Sequence, residues 1–243
     1  VSHYKTVPIK REHLIPKREL VIETAALGVA SCANQLAMMV VTIVLNNSLK
    51  YYGAMSVYGQ SVPIAVAGIV MKVNQIFFSI VIGIAQGSQP IESFNYGAAK
   101  YKRVKETFIL ALKAAAVISI ASFFLFRLCP KMLLNIFGDG SDEYFELGIK
   151  FFKIFLFFTW ANCIQPVTSQ FFASVGKPLK GMFVSLTRQI IFFLPALVVL
   201  PMIFGIEGVL YVGPIADLLA AIVAALMVAG EFRDMTDKEN ALS

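Results

Sequence analysis

Histidine is almost missing from this 243-residue chain, which has only His3 and His13. That removes the commonest general base and metal ligand from nearly all of the sequence. Charge is scarce too: 15% of residues are Asp, Glu, Lys or Arg, where soluble domains average about 25%. Asp217 is the only carboxylate well inside an apolar stretch. One deep acid cannot form a two-carboxylate catalytic pair, and no HExxH, GxSxG or phosphate-cradling GxxxxGK[ST] motif occurs. These absences argue against an enzyme, against a bound cofactor, and against ATP hydrolysis by this chain. Cys32, Cys129 and Cys163 are far apart with no CxxC spacing. Cys32 and Cys163 lie in apolar runs, so packing is the better reading than a disulfide or metal site. No charged, apolar and cleavage-site sequence opens the chain, so we expect no signal peptide. The chain starts Val-Ser-His without an initiator methionine, and its first apolar run begins near Thr24. We therefore expect it to enter in the middle of a longer protein.

What is abundant is apolar surface: 58% hydrophobic residues and a mean hydropathy of +0.73. It is gathered into six runs able to cross about 30 Å of hydrocarbon: 24–46, 63–85, 107–128, 147–176, 182–204 and 206–230. They are too long for barrel strands. The expected fold class is an all-α polytopic membrane protein with six transmembrane helices, its main partner the lipid bilayer. Residues 1–23 read as a basic linker, 24–230 as the six-helix region and 231–243 as a tail. The fourth run is longer than needed, so it should tilt or break, with Pro166 as the obvious place. Ile206 follows the fifth run closely enough to require a tight helical hairpin at Gly205.

The net charge of +6 does not indicate nucleic acid, because the basic residues sit in short loops between apolar runs. Segments 1–23, 86–106, 177–181 and 231–243 carry nearly all of the loop lysines and arginines. The opposite loops hold only Lys50 and Lys131, together with Asp139, Asp142, Glu143 and Glu146. Both termini and the 86–106 connection should therefore be cytoplasmic.

Polar side chains at membrane depth are the candidate site residues, since a centred charge costs about 2.5–3.5 kcal/mol on insertion scales. Asp217 lies three residues after Pro214, whose missing N–H loosens the helical turn and frees oxygens for a proton or sodium ion. The plainer alternative is an acid that pins helices together. Lys72 sits about 20 Å by helical rise from Gly83–Gly87, too deep to reach headgroups easily. It should face a watery cavity or an anionic partner, and Asp217 is the natural one. Asn34, Gln35, Asn74 and Gln75 could line a cavity for small organic cations or bond between helices. Gln165 stands beside Pro166, and Pro166 and Pro214 are hinge candidates. Arg188, near the start of the fifth run, reads as a lipid-facing anchor. The five phenylalanines of 151–158 and Trp160 read as packing or lipid-facing surface.

One connection has a definite pattern: Gly83-Ile-Ala-Gln-Gly-Ser-Gln-Pro-Ile-Glu-Ser-Phe-Asn-Tyr-Gly-Ala-Ala-Lys100. Gly87 and Pro90 should stop a helix there, and Gly97 should supply a backbone conformation closed to bulkier residues. The stretch resembles the loop after the eighth helix of MATE (multidrug and toxic compound extrusion) transporters. Leu45–Gly53 is similar to the outer end of the seventh helix in the MepA-like bacterial branch. Phe171–Pro178, Ser185–Gln189 with Leu194-Pro195, and Phe204–Val209 with Pro214–Leu218 resemble the tenth, eleventh and twelfth.

The resemblance implies helices seven to twelve, the C-terminal lobe of a twelve-helix transporter in the bacterial inner membrane. An N-terminal six-helix lobe of the same protein would be its partner. It further implies export of drugs and other organic cations in exchange for Na+ or H+ by alternating access. One branch of the family carries a glutamate on its seventh helix, where this chain has Asn34 and Gln35, so that cation site is not reproduced. Another uses an aspartate on the first helix, outside this chain, and the coupling ion stays open between Na+ and H+. A lipid-linked oligosaccharide flippase of the same superfamily and a non-transporting membrane scaffold remain as alternatives.

Overall fold

The computed structural model describes residues 18–138 and 140–242. Most of the basic linker (Lys5, Lys10, Arg11 and Lys17), both histidines and Asp139 lie outside the described residues. Among the described residues, all regular structure is helical. In order the helices are α1 (Arg18–Ala54), α2 (Ser61–Gly97), α3 (Tyr101–Leu128), α4 (Pro130–Phe137), α5 (Asp142–Lys150), α6 (Ile164–Ser174), α7 (Pro178–Leu186), α8 (Leu194–Phe204) and α9 (Ile206–Leu242). Five stretches are long and apolar enough to cross a membrane: Cys32–Ala54, Ser61–Gly97, Tyr101–Leu128, Pro178–Phe204 and Ile206–Asn240. This is a multi-pass membrane protein.

The fourth expected crossing is not one helix. After α5 the chain makes a π-helical turn over Phe151–Phe155, runs through successive tight turns over 156–163, and resumes as α6. The stretch is crowded with phenylalanines, which lose side-chain freedom in a helix. Its backbone closes short bonds instead: Thr159 N to Leu156 O at 3.2 Å, Ala161 N to Phe158 O at 2.9 Å and Ile164 N to Ala161 O at 3.1 Å. The Thr159 hydroxyl also donates to Leu156 O at 2.7 Å. The break thus precedes Pro166. That proline stands in the first turn of α6, where a missing N–H removes no helical bond.

A second expectation is corrected at the 83–100 connection. Gly87 and Pro90 do not stop the helix; α2 continues through both to Gly97. One lost donor near the end of a 37-residue helix is tolerated because the neighbouring turns stay closed. The turn itself is short, and its left-handed residue is Ala99 (φ +54°), not Gly97. Lys100 N returns to Asn95 O at 2.9 Å, a C-terminal cap satisfying a carbonyl the helix would leave open.

Gly205, at φ +61°, lets α8 turn directly into α9. Beyond it, a Cβ on Gly208 would lie 2.3 Å from the carbonyl oxygen of Leu200, so only glycine allows so close an approach. α9 does not end with its apolar part. It runs on to Leu242, burying Glu231 and Met235, so the expected tail is helical and packed. Two apolar cores form. One surrounds Phe126, Phe151, Phe152, Leu197 and Leu210; the other surrounds Phe108, Phe171, Phe172, Val228 and Met235. Phe151, Phe152 and Phe155 are core residues, whereas Phe157 and Trp160 stay exposed.

Candidate functional site at membrane depth

Asp217 is 3% exposed on α9, one turn beyond Pro214, and its partner is Arg188. The Arg188 Nε donates to Asp217 Oδ1 at 2.7 Å, and Nη2 approaches the same oxygen at 2.6 Å. This corrects two expectations together. Lys72 does not pair with Asp217, and Arg188 is not a lipid-facing anchor but turns inward. The local backbone explains the turn. Arg188 lies in a second π-helical segment, Thr187–Phe193, joining α7 to α8. A π turn widens the helix and rotates the following side chains.

Other polar groups line up along the same stretch. Ser185, one turn earlier, exchanges hydrogen bonds with Asn34: Asn34 Nδ2 donates to Ser185 Oγ at 2.8 Å, and Ser185 Oγ donates to Asn34 Oδ1 at 3.1 Å. Gln189 buries an amide oxygen with no hydrogen-bond partner. Pro214 is buried beside Gly213, where a Cβ would stand 2.5 Å from the Phe155 carbonyl oxygen. The irregular part of the fourth crossing therefore touches α9 one turn from Asp217.

A separate small cavity of about 10 Å³ lies between α2, α3 and the 156–163 turns, where Asn74, Ser119, Ser122, Thr159 and Asn162 meet the apolar side chains of Phe77, Phe78 and Val81. Asn162 keeps a buried carbonyl oxygen without a partner there. Gln165 and Pro166 are buried nearby in sequence on α6. Gln35, Lys72 and Gln75 are exposed, and Lys72 has no ion pair or hydrogen bond among the described residues. The structure thus joins Asn34 to Ser185 and Asp217 to Arg188. It does not gather the predicted residues into one cluster.

Two buried acids escaped the sequence reading because both lie beyond the expected apolar runs. Glu92, 1% exposed, accepts a hydrogen bond from Ser174 at 2.6 Å and leaves Oε1 unpartnered. Beside it Gln89 Nε2 donates to Gln170 Oε1 at 2.8 Å. Glu231 takes Lys177 on one oxygen and Lys180, at 3.1 Å, on the other. These contacts tie the α6–α7 turn to α2 and α9. Among the described residues there is no group of three or more His, Cys, Asp or Glu that could hold a metal ion.

The sequence profile of the MatE family matches residues 31–199. The chain belongs to the MatE family. Among its relatives, the multidrug export protein MepA of Staphylococcus aureus (strain MSSA476) is 23% identical over 213 residues, covering 88% of this chain and 45% of MepA. MepA of Staphylococcus haemolyticus (strain JCSC1435) is 22% identical over 224 residues, covering 92% and 47%. The backbone resembles the outward-facing conformation of a multidrug resistance MATE family transporter of the MOP superfamily. That match has a TM-score of 0.83 at 19% identity and covers 95% of this chain and 51% of that one. It also resembles a MOP superfamily transporter from Pyrococcus furiosus, with a TM-score of 0.81 at 18% identity, covering 95% and 50%. The chain spans about half the length of each of these proteins and is one half of the MATE fold. The MatE match includes both Asn34 and Arg188 and stops short of Asp217, so the acid of the ion pair lies outside the matched residues.

Proposed function

We propose that this MatE chain is the C-terminal lobe of a multidrug efflux antiporter in a bacterial cell membrane. It exports organic cations and other drugs in exchange for Na+ or H+ by alternating access. A complementary six-helix lobe of the same protein closes the central cavity, and both ends of this chain are cytoplasmic, a reading the distribution of lysine and arginine supports. The observation that carries this reading is the half-length match to MATE transporters, together with polar side chains held at membrane depth.

Within the lobe, Asp217 is the ion-pathway acid and Arg188 its gate. The guanidinium stays charged at any working pH, so a proton or sodium ion reaches Asp217 only as Arg188 lets go. One charge crossing the membrane yields about 2.3 kcal/mol per 100 mV, enough to bias such an exchange. Pro214 and the interrupted crossing around Pro166 are the positions where the lobe would flex. Asn34, Gln35, Asn74, Gln75, Gln165 and Lys72 are its polar contacts along the pathway.

The test is dye efflux by the assembled two-lobe protein in proteoliposomes under imposed sodium and proton gradients, with Asp217→Asn alongside. Gradient-driven efflux that Asp217→Asn uncouples supports the reading. Efflux indifferent to both gradients removes the antiport, and the six-helix chain alone should move no ethidium.

A further inference from the structure

The inward side of α2 changes character towards its end. Val81, Ala85, Ser88, Glu92 and Asn95 are all buried, at a spacing of three or four residues that keeps them on one side of the helix. Val81 and Ala85 give that side to the second apolar core, shared with Val104, Phe108 and Phe171. The next three positions continue it with polar groups.

Two acids are buried around this end of the bundle, and they are served unequally. Glu231 has a lysine on each oxygen. Glu92 has no cation: Oε2 meets the Ser174 hydroxyl, and Oε1 meets no partner. Among the described residues, the titratable groups on the surrounding elements are engaged or exposed. Lys177 and Lys180 hold Glu231, and Lys105 at the start of α3 reaches Glu239 and Thr236. Tyr96 and Tyr101 pack edge to face on each other. Arg18 on α1, Lys100, Lys102, Arg103 and Glu106 around the start of α3, and Arg233 and Asp234 on α9 are exposed.

Ser174 decides which form of Glu92 fits. Its Oγ stands 2.6 Å from Glu92 Oε2 and 2.7 Å from Phe171 O. With the carboxyl ionised both neighbours are acceptors, and a hydroxyl has a single hydrogen to give. One of two short oxygen contacts would then have no hydrogen between its atoms. A neutral acid closes both: Glu92 donates from Oε2 to Ser174 Oγ, and Ser174 donates onward to Phe171 O. Oε1 gains nothing from the rest of the seam, where Ser88 donates to Ala85 O and Asn95 to Ile91 O, each at 2.8 Å. An unpartnered oxygen there costs far less as a neutral carbonyl than as part of a charge.

We infer that Glu92 is a proton-binding site that latches α2 to the last turn of α6. The neutral acid holds Ser174 beside the Gln89–Gln170 pair. When its proton passes to water, the buried charge needs water or a cation in its place, and the latch opens. The inference does not depend on the efflux reading, because it requires neither substrate nor gradient.

The experiment uses the assembled two-lobe protein in detergent, with infrared difference spectra and a distance between spin labels. The labels sit on cysteines at Phe94 of α2 and Ala173 of α6, both exposed. At about pH 6 the carbonyl band of a protonated carboxyl should be present in wild type and missing from Glu92→Gln, and it should fade from wild type by about pH 9. Over the same range the label distance should lengthen in wild type. It should stay short in Glu92→Gln, whose amide donates to Ser174 without titrating. Ser174→Ala removes the acceptor and should shift the band in frequency, which assigns the band even if Glu92→Gln does not fold. A band that neither variant alters, or no such band, overturns the inference. So does a label distance that stays constant in wild type or lengthens equally in Glu92→Gln.

Discussion

Arg188 and Asp217 meet inside the bundle through two guanidinium nitrogens on a single carboxylate oxygen, at 2.6 and 2.7 Å. Neither charge is tolerable there without the other. Asp217→Ala or Arg188→Ala should each destabilise the protein by about 3–5 kcal/mol, because the partner is left uncompensated. Replacing both, Arg188→Met with Asp217→Leu, should recover most of that loss. Thermal unfolding in detergent measures stability, and transport by the doubly apolar variant measures function. A folded double variant that still couples efflux to an ion gradient would release the pair from the mechanism.

Gly213 lies where α9 crosses the interrupted fourth span, with the Phe155 carbonyl oxygen 2.5 Å from any added Cβ. Gly213→Ala should cost about 1–3 kcal/mol through forced separation of the two segments. Gly230→Ala is the control: it meets nothing within 4 Å and should stabilise α9 by about 0.5–1 kcal/mol. Equal melting temperatures for the two variants would mean that this crossing is loose.

Glu231 is fully buried between Lys177 and Lys180. Glu231→Gln removes the charge from one side only and should lower the melting temperature clearly, whereas Lys180→Gln alone should do little because Lys177 remains. High salt should not mimic Glu231→Gln, because buried pairs are weakly screened.

At the opposite end, the hydrogen bond from Lys150 to Glu146, with a second from the Tyr58 hydroxyl, holds the Glu146 carboxyl below the usual carboxylate range. A depressed acid contributes stability above its unfolded value of about 4.3, and that contribution disappears as pH falls through the lower folded value. Glu146→Gln should therefore melt slightly below wild type near neutral pH, and the two curves should merge in acid. Curves that separate further on acidification would have the opposite sign and refute the assignment.

Accessibility tests orientation. In an otherwise cysteine-free protein, cysteine at Gln60 should react with an impermeant maleimide added outside intact cells, and cysteine at Lys102 only after permeabilisation. The reverse pattern would invert the lobe in the membrane.

Much of this was legible from the residues. Long apolar runs announced the helices, because lipid leaves the backbone little other choice, and Gly205 announced its hairpin by having almost no chain to work with. The misreadings share a cause. Pro90 and Pro166 are local signals, and each was overruled by position: one near the end of a helix held by its neighbours, the other in a first turn where it does no harm. The Arg188–Asp217 pair was invisible because depth along a helix says nothing about rotation around it. The π turn at Thr187–Phe193 supplies that rotation, and it has no marker in sequence. Lys72, by contrast, is exposed and has no ion pair or hydrogen bond among the described residues.

The interrupted fourth crossing has a consequence for biosynthesis. An uninterrupted rod can leave the insertion machinery alone, since its amides are already occupied. Residues 156–163 cannot, because every idle carbonyl they carry would cost several kcal/mol in hydrocarbon. They lie against α2 and α3, and the π turn before them packs on α9 at Gly213, the last of the described helices to be translated. The ribosome therefore finishes this lobe before lipid can fully accept its middle, and a nascent chain stalled ahead of Ile206 would be a ready target for membrane quality control.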